Sequence, residues 1–212
     1  MLRVNEIFYS IQGESTFAGL PCVFVRLTGC NLRCSYCDTQ YAYEQGNDLS
    51  LTEIQQQIFN YNCNLIEITG GEPLLQPETV DLAKSLSEHN KQVLVETNGT
   101  KNIAVLPPPI IRIMDIKCPG SGEATKMDWN NIERLRFNDN VKFVISDHND
   151  FNWAVKAVKN YHLLNRSSVL FTPAFGLLKP EILSKWMLNL SLPIRLQLQI
   201  HKYIWKPNRR GV

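Results

Sequence analysis

Asn64-Leu65-Ile66-Glu67-Ile68-Thr69-Gly70-Gly71-Glu72-Pro73 is a mostly apolar run of strand length that stops on two glycines, a carboxylate and a proline. Residues 64–69 read as a strand, because β-branched and aliphatic residues dominate a segment bounded by turn-formers. The two glycines let a backbone approach a bound molecule closely. The same pattern recurs along the chain. Residues 92–96 read as a strand ending in Thr97-Asn98-Gly99, and residues 110–116 as a β-branched strand ending in Asp115-Ile116-Lys117-Cys118-Pro119. Residues 141–145 precede Ser146-Asp147, and residues 169–171 precede Thr172-Pro173.

Helical signals fill the gaps. Ser50-Leu51-Thr52-Glu53 has capping-box spacing and opens a helix through residue 59. Pro77 and Glu78 start a second helix, with Val80, Ala83 and Leu86 on its core face. Asp128 caps a third through residue 136, Phe151, Ala154, Val155 and Val158 mark a fourth, and Pro180 starts a fifth. Upstream, residues 4–10 and 22–27 read as strands, and a polar loop containing Gly46 runs up to Ser50. Pro193 precedes a last strand over 194–200. Residues 103–106 are too few for a helix, and Pro107-Pro108-Pro109 is punctuation. Alternating strands and helices predict an α/β fold with a mostly parallel sheet, in one domain over residues 1–212. About six helix-linked strands are too few for an eight-fold barrel and suit an incomplete (β/α)6-type barrel. The polar patches at the strand ends then share one face, where ligands bind.

Cys30-Asn31-Leu32-Arg33-Cys34-Ser35-Tyr36-Cys37 supplies the chemistry. Three thiolates can hold three corners of a four-iron cluster and leave the fourth iron open, whereas a closed structural site takes four ligands. No further Cys or His flanks the stretch. The alternative is a zinc knuckle completed by a distant residue. Cys22, Cys63 and Cys118 lie in apolar or loop contexts and read as free buried thiols. Arg26 stands inside an otherwise apolar strand, a costly position unless it is paired by an internal salt bridge or by a bound anion. The net charge of +2 does not suggest a polyanion-binding surface. The opening residues lack a secretory pattern and no apolar run approaches membrane-spanning length, which predicts a reduced, cytoplasmic protein without a membrane partner.

The cysteine stretch resembles that of the radical S-adenosylmethionine enzymes, with an aromatic residue before the third Cys, and Gly70-Gly71-Glu72-Pro73 resembles their second hallmark. The resemblance implies a 4Fe–4S cluster on Cys30, Cys34 and Cys37, with the methionine end of S-adenosylmethionine chelating the open iron. Reductive cleavage of the sulfonium then yields a 5′-deoxyadenosyl radical that takes a hydrogen atom from the substrate. Within the superfamily, Ser10-Ile11-Gln12-Gly13-Glu14, Arg26, Cys37-Asp38-Thr39 and Gln199-Ile200-His201-Lys202 resemble the 7-carboxy-7-deazaguanine synthases over nearly the whole chain. That family contracts the ring of 6-carboxy-5,6,7,8-tetrahydropterin to 7-carboxy-7-deazaguanine with release of ammonia, towards queuosine and related 7-deazapurines, and needs Mg2+.

Carried over by residue, the resemblance implies that Ile11, Gln12 and Gly13 touch the pterin, Arg26 pairs with its carboxylate and Thr69 lies at the substrate edge of the Gly-Gly loop. Tyr36, Cys37 and Asp38 would line the cofactor through main-chain groups, Gly71 would meet its methionine end, and Asp115, Ile116 and Lys117 would contact it from another strand end. Thr39 would bind Mg2+ through its hydroxyl; the residues alone also permit an ordinary turn hydroxyl there. Two departures stand out. Ser15 replaces a glycine of many relatives, which predicts a slightly less compact loop. Some relatives close the substrate site with the terminal carboxylate, whereas this chain continues through residues 203–212, so Gln199 or His201 would take that place; His201 reads equally as a structural histidine. The implied partners are the small pterin, an electron donor such as flavodoxin and a second copy of the chain as a homodimer, with no direct nucleic-acid contact. Two rivals share some of these features: an activase that installs a glycyl radical on a partner protein, and a non-enzymatic zinc-binding protein.

Overall fold

The computed structural model describes residues 1–212, and nine strands in it form one open sheet. The strands are β1 (Leu2–Ile11), β2 (Pro21–Leu27), β3 (Asn47–Leu49), β4 (Leu65–Gly70), β5 (Gln92–Thr97), β6 (Ile111–Ile116), β7 (Asn140–Ile145), β8 (Ser168–Pro173) and β9 (Arg195–Leu196), in the spatial order β3-β1-β2-β4-β5-β6-β7-β8-β9. β1 runs antiparallel to β2 and β3, and every pairing from β2 onward is parallel. The helices are α1 (Leu51–Phe59), α2 (Glu78–Glu88), α3 (Asn131–Arg134), α4 (His148–Asn160), α5 (Pro180–Leu188) and α6 (His201–Ile204). The sheet is the mostly parallel, unclosed one expected from the alternation.

Local chemistry explains the elements that position the site. Ser50 caps α1 in a complete capping box with Glu53, an arrangement worth about 1 kcal/mol. Asp147 caps α4, whose Phe151, Ala154, Val155 and Val158 are all buried. Buried apolar side chains merge into two core clusters. One gathers β1, β2, β4 and β5 with α1 and α2; the other gathers β6 to β8 with α4 and the Leu183 face of α5.

Four local expectations are corrected. The 194–200 strand shrinks to Arg195–Leu196, because Gln197 turns inward to bond Ser15 and Thr172, and Ile200 already opens α6. The helix from Asp128 to residue 136 contracts to α3, since the Asp128 carboxylate is taken by Asn130 and Arg134 and Leu135 is extended. The loop before α1 contains β3, an edge strand paired with Leu2, Arg3 and Val4. On α2 the buried face is Thr79, Leu82, Ala83 and Leu86, and Val80 is only half-buried.

The sheet curls. The turn after β1 crosses its concave side: Thr16 N–H donates to Asn140 Oδ1 on β7 at 2.9 Å, and Glu14 pairs with Lys142 on β7 at 2.8 Å. In a flat sheet β1 and β7 lie five strand spacings apart, roughly 24 Å, too far for a turn that left β1 three residues earlier.

Arg112 on β6 is anchored beneath this scaffold. Its Nε donates to Asp139 Oδ2 at 2.9 Å, its terminal nitrogens reach the Ile103 and Arg134 carbonyls, and its side chain is 2% exposed. Removing the carboxylate strands a buried guanidinium. Asp139→Ala is expected to lower the unfolding free energy by about 3–5 kcal/mol, measured by urea denaturation; a loss within experimental error would show that the pair is dispensable.

Candidate active site

The three thiols lie in the loop that leaves the C-terminal end of β2, and neighbouring loops pin that loop. Ser35 N–H donates to the Ser121 carbonyl at 3.0 Å and its hydroxyl to the Gly120 carbonyl at 2.8 Å. Arg33 N–H donates to Glu123 Oε1 at 2.7 Å, and Asn98 Nδ2 to Asn31 Oδ1 at 3.0 Å. Cys30, Cys34 and Cys37 are unpaired and half-buried, whereas Cys22, Cys63 and Cys118 are free and buried as expected.

The Gly-Gly loop after β4 packs directly on this loop. A Cβ on Gly71 would stand 2.0 Å from the Gly29 carbonyl oxygen and 2.8 Å from Cys30 Cβ. Gly70 has φ +138°, a backbone conformation side chains disfavour. The buried Glu72 carboxylate accepts hydrogen bonds from Leu74 N–H, Thr97 Oγ1 and Asn98 N–H at 2.6–2.9 Å, and so ties the loop to the end of β5.

This set fits a multi-iron cluster. The three thiols of one loop lie within electrostatic range of one another, and three thiolates suit three corners of an iron–sulfur cluster. Leu32 N–H points at Cys30 Sγ at 3.4 Å and Asn98 Nδ2 stands 4.0 Å from it. Burial pushes the Cys34 thiol up to about 11, opposed by the Lys117 ammonium, which would support the thiolates once metal is bound.

On the concave face, residues that are neighbours in register carry polar side chains. Arg26, Thr69 and Glu96 follow one another across β2, β4 and β5, and Asp115 and Lys142 across β6 and β7. Lys142 is the hub, with Nζ at 2.8 Å from Glu14, 2.5 Å from Glu96 and 3.2 Å from Asp115. Burial would lower the Lys142 ammonium, but Asp115, Glu14 and Glu96 raise it well above its ordinary value. Asp115 also pairs with Lys117 at 2.8 Å. Thr69 Oγ1 donates to Glu96 Oε2 at 3.1 Å.

Arg26 carries the internal salt bridge weighed from sequence: Nε donates to Glu6 Oε1 at 2.8 Å, with Tyr41 Oη on the same oxygen at 3.1 Å. That is its one hydrogen bond, so the two terminal guanidinium nitrogens stay open. Gln12 is buried; its Nε2 donates to Glu67 Oε2, and its Oε1 accepts Glu14 N–H at 3.0 Å. Gly13 admits His201, whose Nδ1 would lie 2.0 Å from a Cβ there. Ser15 has φ 65°, a region glycine occupies without penalty. It does not loosen the turn: it is buried, and its N–H donates to Gln197 Oε1 at 2.6 Å.

The structure places Arg26, Thr69 and Asp115 on the concave face and the three cysteines, Thr39 and Gly71 at the C-terminal ends of the parallel strands, whereas Ile11 pairs with Pro21 at the opposite end of β2 and the Ile116 side chain packs into the core beneath α4. Ile11 ends β1 and is half-buried, and Ile116 ends β6 and is buried. Tyr36 reaches towards the Val144 carbonyl at 3.4 Å, and burial raises its phenol. Thr39 Oγ1 donates to Asp38 Oδ1 at 2.9 Å, and Gln199 Nε2 to Glu14 Oε1 at 2.8 Å. Burial opposes ionisation of Asp38, but the Lys202 ammonium holds its carboxyl well below the usual range. Glu14, Glu67, Glu96, Lys142 and Lys202 were not singled out. The signal that flagged Arg26, a charge inside an apolar strand, also marks Glu67 and Lys142.

Glu67 is 4% exposed, and burial beside Glu96 pushes its carboxyl up to about 8. Its folded value exceeds its unfolded one, so its contribution to stability is full below about pH 4.5 and is lost as pH rises towards 8. Glu67→Gln removes that loss. The melting temperature of the variant relative to the unsubstituted chain is expected to rise between pH 5 and pH 8; a constant difference would place the carboxyl in an ordinary environment. Gly71→Ala is expected to abolish cluster loading, read as iron and sulfide per chain after anaerobic reconstitution, because its Cβ meets backbone; full loading would refute the close approach.

Residues 24–114 match the model of the Radical SAM superfamily. Over the whole chain, the sequence is 43% identical to the 7-carboxy-7-deazaguanine synthase of Chlorobaculum tepidum, of which it covers 97%. It is 41% identical to the enzyme of that name from Koribacter versatilis, with all of both chains aligned. The crystal structure of QueE from Escherichia coli superposes with a TM-score of 0.75 over 93% of each chain at 21% identity, a likeness of fold.

Proposed function

The chain belongs to the 7-carboxy-7-deazaguanine synthases of the radical S-adenosylmethionine superfamily, and from that premise we propose how its concave face receives the pterin. The reaction is the ring contraction of 6-carboxy-5,6,7,8-tetrahydropterin to 7-carboxy-7-deazaguanine with loss of ammonia, towards queuosine and related 7-deazapurines. A 4Fe–4S cluster and S-adenosylmethionine supply, when bound, the radical that starts it.

The observation that carries the substrate reading is the open fork of Arg26. Glu6 fixes the guanidinium through Nε, Phe8 and Tyr41 flank it at 5.7 and 5.8 Å, and its free nitrogens match a carboxylate in bidentate geometry. Ile11, Gln12, Gly13 and Thr69 then bound the ring, with His201 on α6 and Gln199 just before it packed beside the Gly13–Glu14 turn. His201 rests against Gly13, and burial, partly offset by Glu14, lowers its imidazole, so it faces the pterin as a neutral donor or acceptor. Lys142 sets Glu14, Glu96 and Asp115 in fixed positions, so polar groups around the ring are oriented before substrate arrives. On the cofactor side, Cys30, Cys34 and Cys37 hold the cluster, Tyr36, Cys37 and Asp38 line the cofactor, and Gly71, by letting its loop close on Gly29 and Cys30, brings its backbone to the methionine end. Asp115, Ile116 and Lys117 bound it from β6.

The Thr39 hydroxyl spends its hydrogen on Asp38 and keeps its lone pairs open, a single hard oxygen suited to a cation that keeps a largely non-protein shell, and we assign Mg2+ to it. The N-terminal turn serves as the substrate segment and residues 203–212 as an extension of a single domain. A flavodoxin-like donor supplying electrons, a homodimer and a cytoplasmic setting complete the proposal; no helix is long and apolar enough to cross a membrane.

Anaerobic turnover of 6-carboxytetrahydropterin with reductant, S-adenosylmethionine and Mg2+, read by mass for the deazapurine, tests the reading directly. Arg26→Ala is expected to raise KM by about 10- to 100-fold, the worth of a lost charge-assisted pair, with iron content unchanged. Equal loss of iron and of turnover would make Arg26 a structural residue.

A further inference from the structure

Lys202 is the group in the concave face that neither the cluster nor the pterin reading uses. It lies on the four-residue α6, yet its side chain is 7% exposed. Its Nζ stands 2.5 Å from Asp38 Oδ2, and the Phe175 ring lies 5.0 Å away on another side. Asp38, half-exposed, has two further contacts: Thr39 Oγ1 donates to Oδ1 at 2.9 Å, and Gln199 Nε2 reaches Oδ2 at 3.5 Å. The helix carrying Lys202 is fixed by Ile200 N–H on the Gly13 carbonyl at 3.1 Å. The ammonium is therefore held one residue from the hydroxyl assigned to Mg2+.

We propose that Lys202 is the built-in cation of the Asp38–Thr39 site, and that a divalent cation beside Thr39 binds in competition with its ammonium. The inference rests on the Mg2+ reading of Thr39 given above. A lysine ammonium is a compact point charge with three donors. It neutralises the Asp38 carboxylate as a hydrated metal would, and like charges a few ångströms apart in a half-buried site repel strongly. Thr39 spends its hydrogen on Asp38, so its lone pairs face outward and stay open to a hard cation. Entry of the metal then weakens the Lys202–Asp38 pair and frees the lysine from the carboxylate. Lys202 is thus a positioning residue that sets how tightly the chain takes its cation.

The test titrates the cluster-loaded, oxidised full chain with Mn2+ and reads free Mn2+ by electron paramagnetic resonance, with and without the pterin. Lys202→Met is expected to tighten Mn2+ binding by about tenfold or more, the effect of removing a neighbouring like charge, while Lys202→Arg stays near the unsubstituted chain. Adding Thr39→Val to Lys202→Met should abolish the gain. Equal or weaker binding by Lys202→Met, or a gain that survives loss of the Thr39 hydroxyl, overturns the inference. Should Lys202→Met fail to fold, reductive methylation of the unsubstituted chain, read at Lys202 by mass spectrometry, gives the answer: Mg2+ should speed labelling saturably, and an unchanged or slower rate overturns the competition. Thr39-dependent Mn2+ binding without a Lys202 effect leaves the Mg2+ reading standing alone, whereas no Mn2+ binding by any variant removes both.

Discussion

The ammonium of Lys142 is the constraint on which the interior depends. It sits in the curled side of an open sheet and answers three carboxylates from three separate segments: Glu14 from the turn after β1, Glu96 from β5 and Asp115 from β6. Buried charges are tolerated only when each is paired and hydrogen-bonded. Lys142 meets that condition for the turn after β1 and the end of β6 at once. The sheet curls far enough for the turn to reach it, and the same curl closes most of a barrel without a full set of strands.

Acid exceeds base inside this network. Glu14, Glu67, Glu96 and Asp115 face Lys142 and Lys117. Glu67 absorbs part of the imbalance by holding its proton to about pH 8, and Gln12 donates to it. The concave face is therefore a poised polar cavity, in which three side chains that bound the proposed pterin site are already fixed by a second one: Gln12 by Glu67, Thr69 by Glu96, Gln199 by Glu14. Such second contacts allow catalytic orientation without reorganisation at the moment of reaction.

Much of this was legible in the sequence. Strand runs ending in glycine or polar pairs gave the parallel order, the box Ser50–Glu53 gave α1 to the residue, and the cysteine spacing marked the loop after β2. The misreadings share a cause: tertiary contacts overrode local pattern. Residues 194–200 alternate like a strand, but Gln197 and Gln199 spend their amides on Thr172 and Glu14 across the cavity. Asn47, Asp48 and Leu49 have no strand propensity to speak of and pair only because β1 offers a free edge. Glu96 and Lys142 each read as one odd charge in a strand; only the register of three neighbouring strands shows that they meet.

The clasp between the two ends of the chain has a consequence for biogenesis. Ser15 N–H waits for Gln197, and the Gly13 carbonyl for Ile200, partners more than 180 positions later. Contacts of such sequence separation form late, after the loop-closure entropy of the whole intervening chain has been met. A nascent chain on the ribosome therefore exposes the Gly13–Ser15 turn and the Asp38 carboxylate long before the segment that clasps them has emerged. The last residues made are thus the ones that fasten the first turn, and the substrate-binding segment proposed above stays unfastened on that side until synthesis is complete.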